Sequence, residues 1–485
     1  MARVIVMGAG ISGHTAALYL KRALGRDHEV IVVSPAANYN WIPSNIWVGV
    51  GRMDEMQVRF PLRPVYKRLG IEFHQALGVA IRPFGDELGA TGAIDITYTD
   101  PARAGEAARL RYDYLINATG PKLNFAATPG LGPDANSLSV CTVDHAQATA
   151  KAFAKVIKEM KAGAHKRLVI GVGHGGCTCE GAAFEYTFNV EHELRQAGVR
   201  DMAELTYLSN EYELGDFGVG GLAFDQQGFV SNSKLWTESL FRERGVAAIV
   251  GAHVKAVDPG IIHYELLDGT TGELPFDFAM LLPPFRGVDI KAYDAEGNDI
   301  SEQVFAPSGF MRVDADYAPK PYEEWSPGDW PKTYQSAIAQ NIFGIGIAFA
   351  PPHPISRPRT SPSGTMISPA PPRTGMPSGV MGRTVAESIA RRIKKGATAE
   401  LCTASMASMG AACIASAGVG MRHGSAASMT MFPIVPDRAR FPESGRDLKA
   451  TSGEIGLAGH WTKLMLHYLF IYKAKAYPLW YLIPE

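Results

Sequence analysis

One segment constrains the chain more than any other: Val4-Ile5-Val6-Met7 running into Gly8-Ala9-Gly10-Ile11-Ser12-Gly13. A β-rich run ends in GxGxxG, a helical pattern continues through Leu24, and a second apolar run, Val30 to Val33, follows. Strand, turn, helix and strand in that order specify a parallel nucleotide-binding unit. Gly8 permits the tight turn, Gly10 lets the backbone approach a pyrophosphate, and Gly13 allows close helix packing. The helix amino terminus then offers free N–H groups and the positive end of its dipole to the phosphates. Ser34 ends the second strand where an acidic residue normally holds the ribose, so phosphate recognition is better specified than ribose recognition.

A second unit repeats the pattern. Arg167 to Ile170 reads as a strand, Gly171-Val172-Gly173-His174-Gly175-Gly176 as the turn, about Cys179 to Gln196 as a helix, and Leu205 to Leu208 as the next strand. Ser209-Asn210 follows, with no carboxylate for a nicotinamide ribose. The turn instead leads into Cys177-Thr178-Cys179-Glu180. Thiols at a helix amino terminus are biased toward thiolate by the dipole, which points to a nucleophile. Two other readings stay open: cysteines that pack the turn, or half a metal site. The CxC pair has no second cysteine-rich cluster, so no metal is expected. Between the two units, Tyr112 to Asn117 reads as a strand leading into Ala118-Thr119-Gly120; such an ATG resembles the turn that two-dinucleotide flavoproteins pass close to the flavin nucleotide, and it favours FAD at the first site.

Composition narrows the classes further. Forty-seven basic against forty-eight acidic residues leave a net charge of −1, so no overall attraction to nucleic acid is expected. Five cysteines are too few for a secreted disulfide scaffold and cannot all pair. No secretory signal is expected, because the first apolar run flows directly into the glycine motif. No apolar stretch reaches about 20 residues, which argues against a spanning helix.

Longer motifs carry a resemblance. Pro43-Ser44-Asn45-Ile46-Trp47-Val48-Gly49-Val50-Gly51, the strand and ATG within Asp113 to Leu123, Ser139-Val140-Cys141-Thr142-Val143-Asp144-His145-Ala146, Cys179-Glu180-Gly181-Ala182-Ala183-Phe184-Glu185-Tyr186 and Ala412-Cys413-Ile414-Ala415 together resemble the sulfide:quinone oxidoreductases, flavoproteins of the FAD-dependent disulfide reductase superfamily. The resemblance implies oxidation of hydrogen sulfide to polysulfide or elemental sulfur, with electrons passing through FAD to ubiquinone, menaquinone or plastoquinone. It implies that Cys179 and Cys413 form the redox pair, that Cys141 lies near the flavin, and that Glu185 and His145 move protons around the sulfide site. Asp216 stands where many relatives place histidine. Cys177 and Cys402 match nothing in the family pattern.

The expected fold class is α/β, with two Rossmann-like dinucleotide-binding domains in the disulfide-reductase arrangement and a carboxy-terminal membrane-attachment region. The expected boundaries are 1–140 for the first part of the FAD domain, 141–280 for the second Rossmann-like domain, 281–396 for the return to the FAD domain, and 397–485 for the terminal region. In the third part, Asn341 to Ala350 reads as a strand in which Gly346-Ile347 replaces the Gly-Asp of related flavoproteins. The Pro-rich 351–372 segment reads as an irregular loop folded over the active region, and Arg373 as a charge beside the flavin. The terminus is aromatic and basic, with Lys463 and Lys473 among Trp461, Tyr468 and Phe470, and no acidic residue lies between Glu454 and Glu485. That pattern suits a helix lying on a membrane surface. By the resemblance Phe470 stacks on the quinone ring, with Tyr468 and Phe432 as further candidates. A homo-oligomer is compatible with the sequence. The competing readings are a flavoprotein sulfide dehydrogenase that donates to cytochrome c, a type II NADH:quinone oxidoreductase, and a persulfide-sensing membrane flavoprotein without catalysis.

Overall fold

The computed structural model describes every residue except 179, 419, 420 and 423. The expected nucleophile Cys179 therefore lies outside the described residues. Arg3–Met7 is the central strand of the largest sheet, parallel to Glu29–Ser34 on one side and Tyr114–Asn117 on the other. Val4, Ile5 and Val6 are fully buried, as a parallel strand covered on both faces requires. The sheet order runs Ile342–Gly344, Tyr114–Asn117, Arg3–Met7, Glu29–Ser34 and Glu72–Arg82, then the antiparallel strands Ala93–Tyr98 and Ala107–Arg111. The helix Ile11–Leu24 packs along the late helix Gly375–Lys395, so the first nucleotide unit is completed by chain from beyond residue 340.

The second sheet is wholly parallel, in the order Ala247–Ile249, Ala203–Leu208, Lys166–Val172, Phe278–Leu282. Its helix, Glu180–Gln196, begins immediately after Cys179. Three expectations need correction. The strand anticipated from Asn341 to Ala350 covers only Ile342–Gly344; Gly346, at φ +64, turns the chain into the short 3-10 helix Gly346–Ala348. The 351–372 segment is not wholly irregular, since Arg359–Thr360 pairs with Met366–Ile367 in a small hairpin. The terminal region holds more than helices. Ala411–Ala417, Ser425–Met431 and Ser452–Gly456 form an antiparallel sheet, packed against the helices Glu180–Gln196 and Leu457–Ala474. Ala and Ser on both faces of these strands blur the period-2 contrast that would have announced them.

Candidate functional site

The first glycine turn divides its duties as the sequence suggested. Gly8 adopts φ +102, and a Cβ there would stand 2.1 Å from the Ala118 carbonyl oxygen. A Cβ on Gly13 would stand 2.1 Å from the Gly8 carbonyl oxygen and 2.9 Å from Ala118 Cβ. These two glycines weld the turn to Ala118-Thr119-Gly120, where Gly120 is left-handed at φ +69 and the Thr119 hydroxyl donates to Asn117 Oδ1 at 2.8 Å. Gly10 differs: nothing lies within 4 Å of a Cβ placed on it. The helix above has no side-chain cap and no acid in its first turn, so its N–H groups are free for an anion. A second uncapped amino terminus, Gly375 of Gly375–Lys395, abuts Ile11 and Pro43. An open glycine cradle and two helix ends fit a dinucleotide's phosphates. Ser34 is buried at the end of its strand. Arg373 donates to the carbonyls of Ile347 and Phe349, at 2.9 and 3.2 Å, and so braces the backbone beside Gly346.

The second glycine turn is spent within the chain. Gly171 meets the Leu208 backbone, Gly173 meets Leu131, and Gly175 meets His253 and the Met366 carbonyl. Gly175 N–H donates to His253 Nδ1 at 3.0 Å, while Ser368 and Ala370 donate backbone N–H groups to the carbonyls of Gly175 and Cys177. Thr178 Oγ1 donates to Pro371 O. The Pro-rich segment thus lies over this turn, where a second dinucleotide would approach, and Glu265 fastens it through Ser361 Oγ at 2.5 Å and Thr365 Oγ1 at 2.9 Å.

A buried cluster around the Cys413 thiol forms between the second unit and the terminal sheet. Cys413 Sγ lies against Gly181, 3.1 Å from where a Cβ would stand, two residues after Cys179 in sequence. Beside it, Glu185 Oε1 accepts from Ser416 N–H at 3.1 Å, and Lys463 Nζ reaches Glu185 Oε2 and the Ile414 carbonyl, each at 3.1 Å. Ser416 Oγ also pairs with His460 Nδ1. Burial pushes the Cys413 thiol up to about 11; Glu185 adds to the rise and Lys463 opposes it. Burial likewise raises Glu185 above the usual carboxylate range, against the pull of Lys463. Lys463 was absent from the sequence-based site, because a lysine on an aromatic terminal helix reads as a membrane contact.

The Pro43–Gly51 segment gathers these parts. A Cβ on Gly49 would stand 2.8 Å from Val140 and 3.0 Å from the Tyr186 ring, whose hydroxyl donates to Gly49 O. Trp47 lies edge-on between His460 and His467, and Ser44 Oγ pairs with His467 Nδ1 at 2.8 Å. Cys141 follows Val140 at this junction, its thiol pushed up to about 11 by burial. His145, in the first turn of the helix Val143–Lys161, packs edge-on to Phe125; burial lowers its pKa, and its Nδ1 is buried without a hydrogen bond among the described residues.

The three aromatic candidates do not converge. Phe470 stacks on Trp41 at 5.0 Å in a crevice shared with Ile11, His14 and Met376, next to the first glycine turn. Tyr468 faces an open groove of about 540 Å³ with Met421, Trp461, Leu464 and Met465. Phe432 lies under Arg440 at the end of Ser425–Met431. The lysines expected at a membrane are turned inward: Lys463 to Glu185, and Lys473 to Glu485 at 2.5 Å. Trp461, Met465, Tyr468, Leu469 and Tyr472 remain as an exposed apolar stripe. Among the described residues, no helix is long and apolar enough to cross a membrane, and no cluster of side chains suits a metal ion.

Residues 2–205 match the pyridine nucleotide-disulphide oxidoreductase family model. The sulfide-quinone reductase of Aquifex aeolicus is 30% identical over 391 residues, spanning 81% of this chain and 76% of that protein. The X-ray structure of the Aquifex aeolicus sulfide:quinone oxidoreductase superposes with a TM-score of 0.75 at 27% identity, covering 98% of this chain and 92% of that one. NDH2 from Plasmodium falciparum, solved with NADH, shares the fold with a TM-score of 0.62 at 13% identity, over 98% and 96% of the two chains.

Proposed function

The chain belongs to the sulfide:quinone oxidoreductases, and from that premise we propose that it oxidises hydrogen sulfide at Cys179 and Cys413, with FAD as its flavin, and passes the electrons to a membrane quinone. The observation that carries the sulfur assignment is Cys413 Sγ against Gly181, at the start of the helix that follows Cys179. A glycine there leaves room for a sulfur atom, and the helix end favours negative charge on it.

In the oxidised pair Cys413 carries no free thiol, so the nucleophile is the incoming hydrosulfide. Hydrosulfide attacks the Cys179–Cys413 disulfide: one S–S bond forms, the old one breaks, and a persulfide and a thiolate result. Lys463 supports the released Cys413 thiolate and pairs with Glu185 within the same buried cluster. We assign Cys141, which follows Val140 against Gly49, and His145 to the flavin side of the site. Flavin, when bound between the Gly8–Gly13 turn and the Gly375 helix end, supplies a two-electron acceptor that links thiol oxidation to quinone reduction. Phe470 and Arg373 line or brace the flavin end. The groove at Tyr468 opens onto the apolar stripe, which suits a quinone arriving from a membrane surface that the helix Leu457–Ala474 lies upon. Overall, hydrogen sulfide and quinone give sulfur, at the oxidation level of polysulfide or the element, and quinol, which balances two electrons and two protons.

The closed second glycine turn argues against a nicotinamide donor. The test is anaerobic: sulfide bleaches the flavin and a short-chain quinone restores it, whereas Cys179→Ser and Cys413→Ser remain yellow under sulfide. Full turnover in either variant would overturn the assignment.

A further inference from the structure

The strand that carries Cys413, Ala411–Ala417, is an outer strand of the terminal sheet: Ser425–Met431 pairs with it on one side, and the helix Glu180–Gln196 packs against it. An outer edge leaves backbone N–H and C=O groups without strand partners, and here side chains take them. Lys463 Nζ reaches the Ile414 carbonyl at 3.1 Å, and Glu185 Oε1 accepts from Ser416 N–H at 3.1 Å. Asn189 Nδ2 donates to the Ser416 carbonyl at 2.6 Å, and the Ser416 hydroxyl pairs with His460 Nδ1. Every polar atom of Ser416 is therefore engaged.

Gly181, Glu185 and Asn189 follow one another at helical i, i+4 spacing and so share one face of their helix. Gly181 meets Cys413 Sγ, while Glu185 and Asn189 meet Ser416. About 12 Å of helix thus runs along about 10 Å of strand, in contact at one end and hydrogen-bonded at the other. Asn189 is wholly buried, and its second bond, at 2.9 Å, goes to the Glu185 carbonyl of its own helix. Both partners are acceptors, which fixes the atom facing them as nitrogen. The amide oxygen is left buried without a partner among the described residues. An unpaired buried oxygen is costly, and a leucine of similar size would carry none. What the amide does that leucine cannot is hold the Ser416 carbonyl.

We propose that Asn189 is a positioning residue for the sulfur chemistry: through Ser416 it pins the Cys413 strand in register against the helix that follows Cys179. A slip of the strand by one residue would turn Cys413 to the opposite face of its sheet, away from Gly181. Gripping both the N–H and the carbonyl of Ser416 excludes that slip, because Ala415 and Ala417 direct the same groups toward Ser425–Met431. The grip on the N–H alone, from Glu185, is shared with Lys463 and sits on a longer, more flexible side chain. Asn189 adds the short second bond that makes the hold two-point. Two sulfur atoms that must meet to form, break and re-form a bond lose reactivity steeply with displacements of about 1 Å.

The consequence for the cysteines rests on Cys179 and Cys413 being the reacting pair, and one experiment reads both. The holoenzyme is equilibrated anaerobically with dithiothreitol at set ratios of thiol to disulfide, free thiols are alkylated, and the Cys179 and Cys413 peptides are quantified by mass. In the wild type the two should titrate together as one two-electron couple. Asn189→Ser keeps a hydroxyl that bonds back to the Glu185 carbonyl, as Thr187 Oγ1 does to Ala183 at 2.8 Å, but releases Ser416. Its couple should be about tenfold easier to reduce, a rise of about 30 mV in potential, with flavin content unchanged. Asn189→Leu also releases Ser416 and should raise the potential at least as far. Thr187→Val removes a buried hydrogen bond from the same helix without loosening the strand, and should leave the potential unmoved. A rise in neither Asn189 variant, or an equal rise in Thr187→Val, overturns the proposal while leaving the wild-type couple standing. A wild type whose two cysteines do not titrate together sinks the pair assignment, and this inference with it.

Discussion

Lys463 Nζ stands 3.1 Å from Glu185 Oε2, joining the terminal helix to the helix of the second nucleotide unit through a pair that is almost wholly buried. Breaking such a pair strands a charge in a low-dielectric interior. Lys463→Met should therefore cost about 3–5 kcal/mol in denaturant unfolding, and adding Glu185→Gln should recover much of it. Lys463 also lowers the Cys413 pKa, so its loss should move the thiol-dependent limb of sulfide bleaching to higher pH. A single variant with wild-type stability and an unmoved limb would contradict the role.

Gly181→Ala places a methyl group 3.1 Å from Cys413 Sγ, closer than most real contacts, while leaving the helix intact. The sulfur must give way by a few tenths of an ångström. Flavin content and melting should hardly change, yet the rate of sulfide bleaching should fall by about tenfold or more, because the reacting sulfurs are misaligned. Stopped-flow absorbance of the flavin measures this directly.

The glycines of the first turn should separate folding from cofactor retention. Gly10 has φ −75, open to any residue, and free space where its Cβ would stand. Gly10→Ala should keep its stability within about 0.5 kcal/mol but release flavin on gel filtration. Gly8→Ala should lose about 3 kcal/mol, since it combines φ +102 with a methyl 2.1 Å from a carbonyl oxygen.

Burial pushes the Glu211 carboxyl up to about 7. Its folded pKa exceeds its unfolded one, so its contribution to stability is complete below about pH 4.5 and is lost as pH rises through about 7, on the order of 3 kcal/mol at most. Urea unfolding across that window should show a decline that Glu211→Gln flattens. An identical slope in the variant would locate the titration elsewhere.

With Lys463 and Lys473 committed to Glu185 and Glu485, vesicle binding should depend on the apolar stripe rather than on charge. Co-sedimentation should be similar for neutral phosphatidylcholine vesicles and for vesicles containing anionic lipid. Met465→Glu with Tyr468→Glu should abolish it. Binding confined to anionic vesicles and lost in salt would favour a basic surface instead.

The parallel cores were legible because their signals are local. Val4 to Gly13 and Arg167 to Glu180 each hold strand, turn and helix start within about fourteen residues, and the glycine at φ > 0 in the first turn, Gly8, has few substitutes. The terminal sheet was not legible, because Ala411–Ala417 and Ser425–Met431 bury small residues on both faces and show no alternation. Lys463 and Lys473 were misread for a related reason: composition records that a helix is basic and aromatic but not which way its lysines point.

The sequence by itself determined two nucleotide-type units, the open place at Gly10, the cysteines available for sulfur chemistry and the absence of an acidic ribose anchor at Ser34 and Ser209. Tertiary structure alone decided that Cys413 meets Gly181 across nearly half the chain, that Glu185 finds Lys463, and that the 351–372 segment covers the second turn. The division is physical. Backbone conformation is set by neighbours within a few residues, whereas burial, charge pairing and proton placement depend on which distant groups the folded chain brings into one low-dielectric space.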